Sequence, residues 1–354
     1  MSCYIHFLSN QWKEIKGMRP LSIMIRATLF TTTALLHRRS THALAVKSSM
    51  PPIALSGRGM EDHIPLAEKA MEYFDSSPDP FHAIQTSIDR LSSVGFKELK
   101  ETDVFTGKLE PGGKYYFTRN KSTLVAWTVG KKFEPGNGFK VIGGHTDSPN
   151  LKIKPHSKRS AAGSIQIAVE CYGGGLWHTW FDRDLGLSGR VFVRNEETNT
   201  IEQKLVRIDR PILRIPNLAI HLLTASEREA FKVNKEDHLS PILATEAKKA
   251  LDGSKSDKNE EEDWSTYQEP LLLKLLAQEL DVPVDSIIDF EMNLYDVQRA
   301  SLGGAFSEFI HSARLDNLAS CFMAVEGLAD HSVSEELEND EDISLIALFD
   351  HEGK

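Results

Sequence analysis

Cysteine is scarce in this chain: Cys3, Cys171 and Cys321 are the three among 354 residues. They are odd in number and widely spaced, which excludes a disulfide framework and a zinc site built on cysteine. Basic charge is also short. The 41 Lys and Arg stand against 51 Asp and Glu, a formal net charge of −10. Phosphate binding needs a concentrated basic surface, so nucleic acid is not expected as the main partner. Long hydrophobic runs are missing too, since none reaches the roughly 18–20 residues that span a bilayer. No membrane partner is therefore expected, and the chain reads as soluble and from a reducing compartment. What remains is ordinary globular material, 40% hydrophobic and 26% charged, long enough for two domains that each bury a core.

Acidic residues are absent between Glu14 and Glu61, where Lys16, Arg19, Arg26, Arg38, Arg39, Lys47 and Arg58 all occur. Ser, Thr and Ala fill much of the rest. An Arg- and Ser-rich, acid-poor start has the composition of a mitochondrial or chloroplast transit peptide. The other readings of residues 1–60 are a disordered extension or an over-extended start, because Met18, Met24, Met50 and Met60 could each initiate. Without a transit peptide the chain would be cytoplasmic.

Structured sequence is expected from about residue 61. Leu66, Ala67, Ala70, Met71 and Phe74 fall on one helical side, and Phe81 to Val94 repeats the pattern after a Ser- and Pro-rich break. Lys114–Thr118, Ser122–Val129 and Phe139–Gly143 read as strands. This start predicts an α/β layer fold over 61–149. After Pro149 the texture turns to short β-like runs with glycine joints at Ile165–Tyr172, Gly189–Val193 and Gln203–Ile208. They predict an inserted β-rich domain over 150–293, with a solvated loop at Lys248–Asp263 and a Leu-rich helix at Pro270–Leu280. A strand at Phe290–Val297 leads back to a second part of the first domain, 294–354. That part carries a helix at Asp316–Ala329, an acidic loop at Glu335–Asp342 and a strand at Ile343–Phe349.

Three places could carry chemistry. Gly143-Gly144-His145-Thr146-Asp147-Ser148-Pro149 follows a strand, and ligands collect beyond the carboxyl ends of strands in such sheets. A histidine there, with a carboxylate two residues on to hold its other ring nitrogen, is how a metal-binding imidazole is oriented. Asp316 opens a helix, and Asp350-His351-Glu352 follows the last strand. Singly, these are a hydrogen-bonded loop histidine, a helix cap and solvated acids. Together they supply imidazole and carboxylate ligands for zinc or a similar ion, with a spare carboxylate as base. Asp182-Arg183-Asp184 reads as a salt-bridged turn rather than a metal-binding pair. Gly173-Gly174-Gly175 is not a phosphate loop, because no Gly-Lys-Ser/Thr follows. Trp177 and Trp180 read as interface or core aromatics.

The His145 motif, Tyr172-Gly173-Gly174-Gly175-Leu176-Trp177, Trp180-Phe181-Asp182-Arg183-Asp184-Leu185, Arg210-Pro211-Ile212-Leu213-Arg214-Ile215-Pro216 and Arg314-Leu315-Asp316-Asn317-Leu318 together resemble the aspartyl aminopeptidases, in order, from about Ile64 to Glu352. The resemblance implies a di-zinc exopeptidase that removes N-terminal Asp and Glu from peptides. It implies a zinc-exopeptidase-like mixed sheet sandwiched by helices, interrupted by an inserted β-rich dimerisation domain, with dimers building a dodecamer. It makes His145 a ligand of one zinc, Asp316 the bridge between two, Asp147 the partner that orients His145, and Glu352 the general base. His221 matches a histidine that the family's inserted domain places near a neighbouring subunit's active site. Spacing alone allows equally a histidine packed on a hydrophobic strand.

One position departs from that pattern. Where the family carries a second, metal-binding glutamate, this chain has Gly353, which has no side chain to coordinate anything. The later metal ligands of the family are also missing. The expectation is a truncated form without peptidase activity, in which stopping after a central strand leaves an unpaired sheet edge and uncovered apolar faces. A competing reading from another class is a non-catalytic subunit that only dimerises or modulates assembly. A di-metal deacylase acting on non-peptide amides is weaker, because the motifs of the inserted segment match the aminopeptidases specifically.

Overall fold

The computed structural model describes residues 63–247 and 264–351. The expected transit peptide, the solvated loop at Lys248–Asp263 and Glu352 with its departing neighbour Gly353 lie outside the described residues.

Two helices come first, α1 (Ile64–Ser76) and α2 (Pro80–Ser93). Ala70, Tyr73 and Phe74 give α1 its buried stripe, and Phe81, Ala83, Ile84, Ser87 and Leu91 give α2 its own. Asp79 starts α2. Its carboxylate accepts the amides of Phe81 at 2.8 Å and His82 at 3.0 Å, while Pro80 occupies the position where no donor is needed.

Strands β1 (Lys97–Glu98), β2 (Lys114–Arg119), β3 (Thr123–Val129) and β4 (Phe139–His145) follow. With the last strand, β13 (Ile343–Phe349), they form a mixed five-stranded sheet in the order β1-β2-β3-β13-β4. Strand β13 runs antiparallel to β3 and parallel to β4. Against one face, α1, α2 and the long helix α5 (Leu315–Val333) bury Leu124, Ala126, Ile346 and Leu348 with Leu318, Cys321, Phe322 and Val325. A bidentate pair from Arg90 to Glu326, at 2.6 and 2.9 Å, ties α2 to α5. On the other face, Phe105 from the β1–β2 connection covers Phe117 and Trp127.

The chain leaves this sheet after His145 and enters a second one five residues later, at Asn150. Strands β5 (Asn150–Ala161), β6 (Ser164–Tyr172), β7 (Leu185–Asn195), β8 (Thr200–Leu213), β9 (Ile242–Thr245) and β10 (Ile287–Asp296) make an antiparallel sheet in the order β8-β7-β10-β5-β6-β9. A five-residue helix α3 (Ala225–Glu229) lies between β8 and β9. Helix α4 (Pro270–Leu280) packs Leu272, Leu273, Leu276 and Ala277 into a core with Leu151, Ile167, Leu187 and Ile208. A short hairpin, β11 (Ser301–Gly303) with β12 (Phe309–His311), precedes α5.

The structure departs from the sequence reading at one strand. Strand β5 was not expected, because its second half, Lys154 to Arg159, is polar and contains Pro155. A register irregularity between Ile153 and Lys158 accommodates that proline in the ladder with β6. The last strand, β13, is central and paired on both sides, and the edges among the described strands are β1 and β4, with Phe139, Val141 and Ile142 of β4 exposed. A parallel partner reached through α5 slots between earlier strands, and sequence order does not reveal that.

Two outcomes test this packing. Leu272→Ala removes a fully buried side chain and is expected to cost about 2–5 kcal/mol in denaturant unfolding. Asp79→Ala should cost about 0.5–2 kcal/mol at neutral pH. Burial opposes ionisation of Asp79, but the His82 ring and amide outweigh it and hold the carboxyl below its usual range. Its contribution is therefore present above the ordinary Asp value of about 4 and lost as the pH falls through the folded-state value. The gap between wild type and Asp79→Ala should close in acid, as read from unfolding at several pH values.

Candidate metal centre

Strand β4 delivers His145 to the carboxyl end of the first sheet, paired with Phe349 of β13. The ladder runs one step further through the Thr146 amide, which donates to the Phe349 carbonyl at 2.8 Å. Gly144 permits what comes next. A Cβ there would sit 3.2 Å from Asn317 Oδ1 and 3.3 Å from Cys321 Sγ, so its absence lets the start of α5 close onto the strand. Helix α5 then holds both backbone groups of His145. Asn317 Oδ1 accepts the His145 amide at 3.4 Å, and Cys321 Sγ donates to the His145 carbonyl at 3.1 Å. Burial, and after it the Asp147 charge, push the Cys321 thiol up to about 12, so it stays protonated and able to donate.

Arg314 and Ser148 fix the approach to α5. Arg314, half-buried and in a left-handed conformation, φ 59°, donates to the Phe74 carbonyl at 3.3 Å. Burial lowers its guanidinium below the ordinary value. Ser148 Oγ donates to the Asp316 carbonyl at 2.9 Å. As a result Asp316 meets His145: Oδ1 lies 3.3 Å from His145 Nε2, with the Asp316 side chain mostly in solvent. Two expected ligands, 171 residues apart in sequence, are brought together.

Asp147 is placed beside them and almost fully buried. Its nearer contact with the imidazole is through the backbone: His145 Nδ1 is 2.9 Å from the Asp147 carbonyl and 3.6 Å from Oδ1. A carbonyl only accepts, so Nδ1 carries a proton there, and Nε2 faces the Asp316 carboxylate. The carboxylate has other work as well. Oδ1 accepts the His351 amide at 2.9 Å, and Oδ2 accepts the Tyr172 hydroxyl at 2.7 Å.

Asp350 belongs to the same neighbourhood. Burial raises its pKa, the Asp147 charge adds to that, and a hydrogen bond with Ser122 opposes both. Behind it, Glu291 is held below its usual range: burial works against ionisation, but Lys152 at 3.0 Å and Arg190 at 2.8 Å prevail. Sequence reasoning missed Tyr172, and the signal was available, since it opens the Gly173-Gly174-Gly175 run at the end of a strand. His221 is not brought to this centre. It lies in an exposed turn, Ile220–Leu222, rather than against a strand. Asp182-Arg183-Asp184 is a bonded turn, with Asp182 on Asn217, Asp184 on Arg214 and Arg183 on Asp296. Trp177 is buried in the second core and Trp180 packs against it.

Imidazole nitrogen and carboxylate oxygen are donors of the kind that zinc takes. In kind, His145 and Asp316 fit. Among the described residues, however, no group of three or more His, Cys, Asp or Glu side chains could hold a metal ion. The pair supplies two of the roughly four donors of a zinc site.

Gly144→Ala should displace the start of α5 and cost about 1–3 kcal/mol. Gly143→Ala, whose Cβ would meet nothing nearer than the Ala347 carbonyl at 4.0 Å, should cost less than 1 kcal/mol, about the scale of a backbone-entropy change. Thermal unfolding of the two variants checks the contrast.

Residues 73–353 match the family model described as aminopeptidase I zinc metalloprotease (M18). An aspartyl aminopeptidase of Aspergillus oryzae is 49% identical over 300 residues, covering 80% of this chain and 59% of that protein. A solved complex of Ape4 and Nbr1 contains a chain 41% identical, with a TM-score of 0.78, covering 83% of this chain and 56% of that one. A solved dodecamer of mApe1 from S. cerevisiae is 29% identical, with a TM-score of 0.69, covering 81% of this chain and 60% of that one. The chain thus spans about 59% of the length of the curated relative it matches.

Proposed function

The chain belongs to the M18 family of aminopeptidase I zinc metalloproteases, and from that premise we propose that its site serves the zinc-dependent removal of N-terminal Asp and Glu from peptides. The observation that carries the reading is His145 Nε2 facing the Asp316 carboxylate at 3.3 Å, with the ring held from its other side through Nδ1. His145 and Asp316 would hold the metal, Asp316 as the bridge if two ions bind. Zinc, when bound, supplies a Lewis acid and lowers the pKa of a water. Asp147 keeps the His145 ring in register and fixes the backbone at His351, one residue before Glu352. Glu352 would accept the proton of the attacking water. Peptides with acidic N-termini are the substrates this proposal names, by likeness to the aspartyl aminopeptidase relative.

The same proposal takes 150–293 as the segment through which copies pair, with dimers and a dodecamer as the assembly, by likeness to the solved mApe1 dodecamer. It sets His221 near a neighbouring copy's site, consistent with its exposure. It takes residues 1–60 as an organelle-targeting segment, which import of a fused reporter would test.

One observation favours a second reading, a non-catalytic subunit. The described residues contribute two metal donors, and Gly353 stands where the family has another. The expectation that the 354-residue chain lacks activity by itself goes with this reading.

Zinc is expected to raise the melting temperature of the chain and to leave His145→Ala unchanged, since a ligand that binds only the folded state stabilises it. Release of Asp from an Asp-peptide, faster than release of Leu from the matched peptide and abolished by a chelator, upholds the catalytic reading. Zinc stabilisation without release of Asp upholds the second. No stabilisation by zinc overturns the catalytic reading and agrees with the second.

A further inference from the structure

A line of polar contacts joins the second sheet to the His145 loop. Tyr172, the last residue of β6, donates its hydroxyl to Asp147 Oδ2 at 2.7 Å. The ammonium of Lys152 on β5 lies 4.2 Å from the centre of the Tyr172 ring. Glu291 on β10 holds Lys152 at 3.0 Å and Arg190 on β7 at 2.8 Å. Arg190 then reaches Asn120 Oδ1 at 2.9 Å, in the turn between β2 and β3. The line leaves the first sheet at that turn and returns to it at Asp147.

The Asp147 end of this line is the part that matters for His145. A carboxylate bonded through one oxygen can still turn about its last torsion. One bonded through both oxygens to donors on different strands cannot. Oδ1 is held by the His351 amide beyond β13, and Oδ2 by a hydroxyl from β6. Hydrogen bonds to an ionised acceptor are about twice as strong as neutral ones. The carbonyl of this same residue receives His145 Nδ1–H. Whatever fixes Asp147 therefore fixes the ring that faces Asp316.

We propose that Tyr172 is a positioning residue that couples the second sheet to His145 through Asp147, so that the imidazole keeps its orientation toward Asp316 only while β6 is seated. Nothing in the proposal needs a metal to be present, although its zinc arm rests on the function proposed above.

The test compares the full chain with Tyr172→Phe, which removes the hydroxyl and keeps the ring under Lys152. In metal-free protein labelled with ¹⁵N-histidine, the His145 resonances, assigned by their loss in His145→Gln, should show a hydrogen-bonded Nδ1–H in wild type. In Tyr172→Phe that hydrogen-bonded Nδ1–H signal should shift and weaken. Zinc affinity, read by competition with a chromophoric chelator, should fall roughly tenfold, as when the partner of a metal-binding histidine is disturbed. Tyr73→Phe is the structural control, because it deletes another buried hydroxyl contact, Tyr73 to Ser87 at 2.9 Å, on the helix side of the first sheet. It should leave the His145 signals unchanged. Unaltered His145 signals in Tyr172→Phe, or the same shift in Tyr73→Phe, overturn the proposal. If wild type binds no zinc, the zinc reading of the site fails while the Nδ1–H signal still decides this one. Should Tyr172→Phe not fold, Lys152→Met frees the ring and is expected to shift the His145 signals in the same direction. Unchanged signals there overturn the proposal equally.

Discussion

The carboxylate of Asp147 is the interaction on which the candidate centre depends. It is buried at the point where the chain passes from one sheet to the other, and it takes a donor from each. An anion in that position would be costly if left without partners. Here the Tyr172 hydroxyl and the His351 amide meet it, and the adjoining carbonyl receives the His145 ring. One short loop therefore sets the ends of three strands, β4, β6 and β13, relative to one another.

A second constraint comes from the helix side. Gly144 leaves room for Asn317 and Cys321 against the strand, and these two side chains hold the amide and the carbonyl of His145. Asp316 reaches the imidazole because α5 begins there, and α5 begins there because Arg314 and Ser148 anchor the residues around it. The ring is thus gripped through its backbone by the helix and through Nδ1 by the loop. Nε2 is left facing a carboxylate that is largely in solvent. Such an arrangement suits a group that must accept an ion from solution without reorganising.

Much of the fold was legible in the sequence because its elements follow simple periods. The helices α1, α2 and α4 carry apolar residues at helical spacing, and β2, β3 and β13 are short apolar runs bounded by turn residues. Strand β5 was not legible, since Lys154 to Arg159 is polar and its ladder is interrupted at Pro155. The order of strands was not legible either. Placing β13 between β3 and β4 is a consequence of helix α5 crossing the sheet, and a list of strands does not contain it.

The residue types at the centre were determined by the sequence alone. His145 after two glycines, Asp147 two residues on and Asp316 at a helix start announce imidazole and carboxylate chemistry and the family that uses it. Only the tertiary structure decided that Nε2 meets Asp316, that Asp147 steadies His145 chiefly through its carbonyl, and that Tyr172 from another sheet fixes the carboxylate. The physical reason is that hydrogen bonds depend on direction and distance in space. Residues 25 and 171 positions apart acquire those only when both sheets and α5 have packed.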